Sequence, residues 1–456
     1  MRTIIPAMES IAQLWGHPQP KDVKYRLMKY LLRADVEDGI LLQNTVTEQM
    51  VLLSDEEAKA VNELPANPSE SMKELIENHF LVPEDFNEYS SVKQLRTIYQ
   101  KRAQGDSINH YIILPTTYCN ARCFYCYESN YPRVHMTEET ADKLIDYIAE
   151  HRKGKDVKLS WFGGEPLLGA ERINQICQGL KDRGIPFYSS MISNGYLFDE
   201  ELVEKSVKLW NLKRVQITLD GTEEVYNRVK AYVINDENPF RRVLRNIDLL
   251  AGNKIQVNIR LNMDFYNKDD IQNLIEDLGK KYSGRRVINV YLNMLFNDEG
   301  FEPVHHSLEE IIEIMKIIDG FTQRLVQLGL TNDYEPFPHL KTNQCMADSP
   351  HAVEIQPDGS FCRCEHENIL DSYGNLDEGI LDPQKPLKWK EIIERSENCP
   401  DCPVYPACYL LRQCMNADAP CLEYYRQRRQ GMYKNMMCEK YYKSLEDEKN
   451  EGVQGS

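Results

Sequence analysis

At 456 residues the chain exceeds one ordinary hydrophobic core, so two or three domains are expected. Its 42% hydrophobic and 27% charged composition is that of a soluble globular protein, and the absence of any run of about 18 apolar residues argues against a membrane span. A net charge of −17 argues against nucleic acid as the main partner, because phosphate binding wants a basic field, but leaves room for a neutral or basic peptide.

Taken in order, the opening Met1–Pro6 has neither a sustained apolar core nor a small-residue cleavage site, so no signal peptide is expected and the cytoplasm is the default location. Tyr25–Leu32 and Gly39–Gln43 read as short strands joined through the turn-like Asp35–Gly39. Asn44–Thr47 makes a second turn before the apolar Met50–Leu53. Ser54 can cap a helix opening on Asp55, Glu56 and Glu57, where the helix dipole favours acids. A further helix over about Ser69–Asn78 leads to Phe80–Phe86, and residues 94–109 read as a charged helical linker. Three short strands with small helices suggest a winged-helix-like α+β module over residues 1–105.

From His110 the pattern becomes strand–helix repetition. Strands are expected at Tyr111–Pro115, Val157–Phe162, Pro186–Ile192, Arg214–Leu219, Ile255–Leu261 and Val287–Asn293. Between them lie amphipathic helices, one marked by Ala141, Leu144, Ile145 and Ile148 and another by Ile271, Leu274, Ile275 and Leu278. Thr137 caps the first. Six βα units in series imply a parallel sheet with outer helices, over residues 106–335. Periodicity alone allows a barrel or a doubly wound open sheet. In both, ligands sit at the C-terminal strand ends.

That is where Cys119, Cys123 and Cys126 fall, as C-x3-C-x2-C just after the first strand. Three thiolates on one loop can hold three irons of a cubane cluster and leave the fourth open. A zinc knuckle would pair two C-x2-C units or add histidines, and none lies between Tyr111 and Arg133. The second strand runs into Gly163-Gly164-Glu165-Pro166, where glycines permit close backbone approach and Glu165 adds a carboxylate. Later strands end in Ser193-Asn194-Gly195 and Thr218-Leu219-Asp220-Gly221, and Arg260 lies in the fifth. Cys177 shares a helix face with Ile173, Ile176 and Leu180 and reads as a small core residue.

These motifs together resemble the radical S-adenosylmethionine (SAM) enzymes. The resemblance implies a partial (β/α)6 TIM-like barrel in which Cys119, Cys123 and Cys126 hold a reducing 4Fe–4S cluster. The open iron of that cluster chelates the methionine part of the cofactor. It also implies that Gly163, Gly164 and Glu165 grip the methionine amino group. Ser193, Thr218, Asp220 and Arg260 then match positions for ribose hydroxyls and the methionine carboxylate, and Tyr125 the aromatic that leans on the adenine. Residues 1–105 resemble the RiPP recognition element of peptide-modifying relatives, the alternative being an N-terminal cap that packs on the barrel.

After a long helix from Ser307, with Leu308, Ile311, Ile312, Met315 and Ile318 at helical spacing, Pro336–Pro338 marks a boundary. Beyond it, nine of the thirteen cysteines lie between Cys345 and Cys438. Residues 336–456 resemble a SPASM domain, which carries two auxiliary 4Fe–4S clusters. Gly359–Cys364 matches its G-x4-C element and Cys399, Cys402 and Cys408 its C-x2-C-x5-C element, whereas Cys408 and Cys414 are spaced C-x5-C rather than the usual C-x3-C. By family order the first auxiliary cluster takes Cys345, Cys364 and Cys414, with Cys362 as a fourth ligand or left free. On a strand Cys362 and Cys364 would share a face. The second takes Cys399, Cys402, Cys408 and a late cysteine, with Cys438 preferred over Cys421. The resemblance implies a maturase that abstracts hydrogen from a ribosomal precursor peptide and installs a thioether or C–C crosslink, fed by a flavodoxin or ferredoxin. The alternatives are a sulfatase-maturase-like formylglycine-forming enzyme and, from another class, a non-catalytic iron–sulfur or zinc protein.

Overall fold

Short apolar runs near the N-terminus pair into a small antiparallel sheet. The computed structural model describes residues 1–102, 107–233, 237–295, 307–331, 337–341, 345–389, 391–408, 410–411 and 421–454. Residues 1–104, 335–344 and 390–456 make up one compact unit, and residues 105–334 with 345–389 the other. The stretch after residue 336, read from sequence as one domain, is thus shared between them.

In the first unit the elements are β1 (Arg2–Ile5), α1 (Glu9–Trp15), β2 (Tyr25–Leu27), β3 (Leu31–Val36), β4 (Gly39–Asn44), β5 (Met50–Leu52), α2 (Asp55–Asn62), α3 (Lys73–Glu77), β6 (Leu81–Pro83) and α4 (Glu88–Arg102). One sheet has the order β1-β5-β4-β3, and β2 pairs with β6 separately. The central β4 is apolar on both faces because both are covered. Ile40 and Leu42 join a core with Val51, Val61, Leu75 and Ile76. Leu41, pointing the other way by the period-two rule, joins Leu32, Met50, Phe337, Tyr433, Met437 and Tyr441, the last three from the C-terminal helix Glu423–Gln454. Ser54 caps α2 in a reciprocal box with Glu57, as the sequence implies. The strand β1 and the helix α1 were not marked by the pattern: the first is only four residues long and the second seven.

Helix α1 ends on Trp15, which stacks on His79 with ring centroids 4.1 Å apart, while His79 Nε2 lies 3.0 Å from the Gly16 carbonyl. Burial pushes the His79 pKa down to about 4. A histidine depressed in the folded state takes its proton more readily when unfolded. Stability is therefore expected to fall as pH drops from about 6.5 to about 4, and a His79→Gln variant should show a flatter decline in thermal midpoint over that window.

The second unit follows the repetition expected. Its elements are β7 (His110–Ile113), α5 (Glu138–His151), β8 (Val157–Trp161), α6 (Ala170–Asp182), β9 (Phe187–Ser193), α7 (Glu200–Lys208), β10 (Leu212–Thr218), α8 (Glu223–Lys230), α9 (Pro239–Gly252), β11 (Gln256–Met263), α10 (Lys268–Tyr282), β12 (Ile288–Met294) and α11 (Leu308–Gln327). Strands β7 to β12 are parallel neighbours in strict chain order, with no reversal of direction. A doubly wound sheet would reverse, so this is the winding of a barrel. Strand β12 pairs only with β11, while β7 continues instead into β13 (Ala352–Ile355), β14 (Ser360–Cys362), β15 (Gly374–Asn375) and β16 (Gly379–Ile380). Among the described strands the barrel is therefore partial. Among the described residues no helix is long and apolar enough to cross a membrane.

The stripes read on α5 and α10 are buried in full. On α11 the stripe differs: Ile314 and Leu325 are buried, Ile311 and Ile318 pack beside them, and Leu308 at the first turn is exposed. Ser307 starts that helix with a capping box to Glu310, so its first turn is held by the cap rather than by packing.

Candidate active site

The loop after β7 is held from both sides. Thr117 Oγ1 donates to the Pro132 carbonyl at 2.7 Å, and Thr116 bridges His135. Across the loop, Arg122 N donates to the Lys230 carbonyl and Val233 N to the Asn120 carbonyl, both at 2.8 Å. Asn194 Nδ2 reaches Asn120 Oδ1 at 2.7 Å. Cys119, Cys123 and Cys126 are half-buried here, the first two packed on the main core. Burial, then the charge of Glu165, pushes the Cys119 pKa up to about 12. Burial, then Glu128, pushes Cys126 up to about 11. Burial also raises Cys123, against the opposing field of Lys230. Cys123 and Cys126 further raise Cys119, and Cys123 raises Cys126, although among the described residues no three His, Cys, Asp or Glu side chains stand close enough together to hold a metal ion. Buried thiols of this kind keep their protons near neutrality unless a metal cation takes the proton's place.

Gly163 and Gly164 lie directly beneath this loop. A Cβ on Gly163, whose φ is +110°, would stand 2.3 Å from Thr116 O; on Gly164 it would stand 2.4 Å from Tyr118 O and 2.6 Å from Thr117 O. Glu165 N donates to Tyr118 O at 2.8 Å. The glycines are thus required by close approach to the backbone that leads into Cys119. Glu165 is fully buried. Its carboxylate accepts from Ser193 Oγ and Asn194 N, both at 2.8 Å, and from Leu167 N at 3.2 Å. Burial outweighs these bonds and lifts its pKa to about 7. Glu165 and Ser193 are therefore brought together, tying the ends of β8 and β9.

Asp220 and Tyr125 are also brought together, by a residue the sequence reading missed. Lys230 Nζ lies 2.8 Å from Asp220 Oδ2 and donates to Tyr125 Oη at 2.9 Å, while Tyr125 Oη donates to the same Asp220 oxygen at 2.8 Å. Asp220 is 0% and Lys230 4% exposed in their side chains. Burial alone would push the Lys230 pKa down, but Asp220 and its neighbours hold it well above the usual lysine range. Asp220 Oδ1 is buried without a hydrogen-bond partner. The signal for Lys230 lay in α8, where Tyr226, Val229 and Lys230 share the buried stripe. Thr218 and Arg260 are half-buried and directly opposed in the β10–β11 register, with Arg260 Nε donating to Asn262 Oδ1 at 2.8 Å.

Residues 113–278 match the family described as the radical SAM superfamily. The GTP 3',8-cyclase of Clostridium botulinum (strain Okra / Type B1) is 30% identical over 318 residues, covering 64% of this chain and 94% of the relative. The chain belongs to the radical SAM superfamily. It is a radical SAM enzyme, and two solved structures share its fold. Native anSMEcpe with bound AdoMet and Cp18Cys peptide superposes with a TM-score of 0.55 at 16% identity, over 74% of this chain and 99% of that one. Streptococcus suis SuiB bound to precursor peptide SuiA gives 0.50 at 12% identity, over 84% and 94%.

The cysteines outside the radical SAM loop fall into two sets. In the barrel unit Cys345 and Cys364 pack together with Ala347 and Trp389. Cys362 is apart, its Sγ donating to Asn368 O at 3.3 Å and its thiol surrounded by Glu354, Glu367 and Asp371. The shared strand face expected for Cys362 and Cys364 does not exist, because β14 ends at Cys362 and Cys364 lies in the turn beyond. Cys414 lies outside the described residues. In the other unit Cys399, Cys402 and Cys408 share one another's field with Cys421. Of the two late cysteines, Cys421 is the one named in the field of Cys399, Cys402 and Cys408. Arg426, early in the C-terminal helix, reaches Ser396 beside Cys399, whereas Cys438 is 15 residues past the helix start at Glu423, about 22 Å along the axis.

Proposed function

We propose that the chain is a peptide maturase whose radical site is the Cys119–Cys126 loop. The observation that carries the reading is the clasp of Gly163, Gly164 and Glu165 beneath the loop that carries Cys119, Cys123 and Cys126 at the C-terminal end of a parallel sheet. Cys119, Cys123 and Cys126 would hold three irons of a 4Fe–4S cluster, and when bound the cluster supplies an electron that cleaves SAM to a 5′-deoxyadenosyl radical able to abstract hydrogen from a peptide C–H bond. The chain's own groups then do three things. Glu165, Ser193 and Asn194 fix the floor under the cysteine loop. Thr218 and Arg260 offer donors at the neighbouring strand ends for the cofactor's ribose and carboxylate. The buried Asp220–Lys230–Tyr125 network holds the wall beside Cys123. Cys345 and Cys364 are candidate ligands of one auxiliary cluster, with Cys414 as the family order has it. Cys399, Cys402, Cys408 and Cys421 are candidates for a second.

A peptide substrate is supported by the two structural neighbours, each solved with a peptide. It is further supported by the α+β module ahead of the barrel, which suits a leader-binding role. A second reading is a nucleotide-acting enzyme like the cyclase relative. It has the 30% identity in its favour, but that match leaves about a third of this chain without a counterpart. Co-expression with the small peptide encoded beside its gene, followed by mass spectrometry, tests the choice. Loss of a hydrogen pair from the peptide supports a thioether or C–C crosslink. An unchanged peptide, together with conversion of GTP by the anaerobically reconstituted protein, removes the maturase reading.

The cluster assignment has its own check. Cys421→Ala is expected to lose about four irons per chain relative to wild type, whereas Cys438→Ala should keep them. The reverse result restores Cys438.

A further inference from the structure

Strand β8, β10 from Arg214 onward and β11 up to Leu261 alternate between buried and more exposed residues, which parallel strands covered on both faces do not do. Val157, Leu159 and Trp161 of β8 are buried beneath the outer helices, as are Val215 and Ile217 of β10 and Val257 and Ile259 of β11. The intervening positions are polar and half-buried or exposed, and they enclose a cavity of 430 Å³. Lys158, Lys213 and Arg214 line it, while Glu365 is the only acidic residue among its described lining.

This positive lining runs against the chain's net charge of −17. Lys158 is half-buried, and burial and then the like charge of Arg214 both push its pKa down. His110 lies beside Lys158 in register, with Nε2 3.0 Å from Ser160 Oγ. Burial, then Lys158, pushes the His110 pKa to about 4, so it adds no charge near neutrality. Among the described residues neither the Lys158 nor the Arg214 side chain has an ion-pair or hydrogen-bond partner. Two like charges facing one half-enclosed cavity, whose one described carboxylate (Glu365) forms an ion pair with neither, raise each other's free energy, and an added anion relieves this.

We propose that this cavity anchors an anionic group of the substrate, the carboxylate of an Asp or Glu side chain within about four residues of the one that is modified. The inference rests on the peptide reading given above. The spacing comes from β10, along which Arg214 stands four residues below Thr218, about 13 Å at strand rise, a span that four residues of extended peptide cover. Gln216, Gln256 and Asn258 line the same cavity and supply donors and acceptors to a peptide backbone.

The test uses the reconstituted full-length holoenzyme and a displayed library of random hexapeptides, with wild type compared against Lys158→Met/Arg214→Met and Lys158→Glu/Arg214→Glu at matched iron content. Wild type is expected to enrich Asp or Glu at one fixed position. The Met pair should lower that enrichment about tenfold, and the Glu pair should turn it toward Lys or Arg. Wild-type enrichment without an acidic preference overturns the anchor and leaves the peptide reading standing. An acidic preference that survives both double variants overturns it as well, since the peptides are then held elsewhere. Enrichment of no peptide, with GTP bound instead, defeats the peptide reading and this inference with it.

Discussion

Replacing Gly164 by alanine is expected to lower 5′-deoxyadenosine formation from SAM by about 100-fold or more. The added methyl would meet Tyr118 O at 2.4 Å and Thr117 O at 2.6 Å. Both obstacles are backbone atoms, so no side chain can swing away. Relief requires moving the segment that delivers Cys119, which Glu165 N and Gly164 N pin through hydrogen bonds to Tyr118 O and Thr116 O. On the proposed cluster assignment, a displaced Cys119 would no longer bind in common with Cys123 and Cys126. Gly252→Ala is the matched control. That glycine ends helix α9, and an added methyl there would have nothing within 4 Å, so alanine should be neutral or stabilise by about 0.5–1 kcal/mol. Iron content and SAM cleavage measured on both proteins decide the matter. Wild-type cleavage by the Gly164 variant would show that the loop is not held as described.

Much of this arrangement was legible because it is local. The C-x3-C-x2-C spacing, the glycine pair and the helix stripes of α5 and α10 are each written within a few residues, and periodicity places them on the right elements. Chain order of the strands was not legible, because one-way winding and doubly wound topology share the same periods. The structure resolves it through register. Lys230 was missed since its partner Asp220 lies ten residues back across a turn, and a lysine in a helix's last turn ordinarily caps the dipole in water. The choice between Cys421 and Cys438 was not legible either: family order counts cysteines along the chain, whereas a continuous helix Glu423–Gln454 separates these two by most of its first half. The polar lining of the cavity was written plainly in Val157-Lys-Leu-Ser-Trp161 and Gln256-Val-Asn-Ile-Arg260, yet alternation in a parallel sheet acquires meaning only once one face is known to be concave.

Lys230→Met is expected to cost about 3–5 kcal/mol of stability in the barrel unit, because it leaves Asp220 as an uncompensated buried carboxylate. Asp220 keeps only the Tyr125 hydroxyl on Oδ2, and its Oδ1 has no hydrogen-bond partner from the start. The double variant Lys230→Met/Asp220→Leu should recover most of the loss, since replacing both partners of a buried pair with apolar groups is often neutral. Urea unfolding of the anaerobic protein measures both. The two variants also separate packing from electrostatics at Cys123. The Lys230 ammonium favours the Cys123 thiolate and Asp220 opposes it, with burial the larger influence on both. Removing the whole pair restores packing without restoring the cation. The double variant should therefore fold nearly as well as wild type yet load iron only at higher pH, because its thiol must give up a proton without that help. Equal stability of the single and double variants would mean that the ion pair is not formed in solution, and the wall beside Cys123 would then need another account.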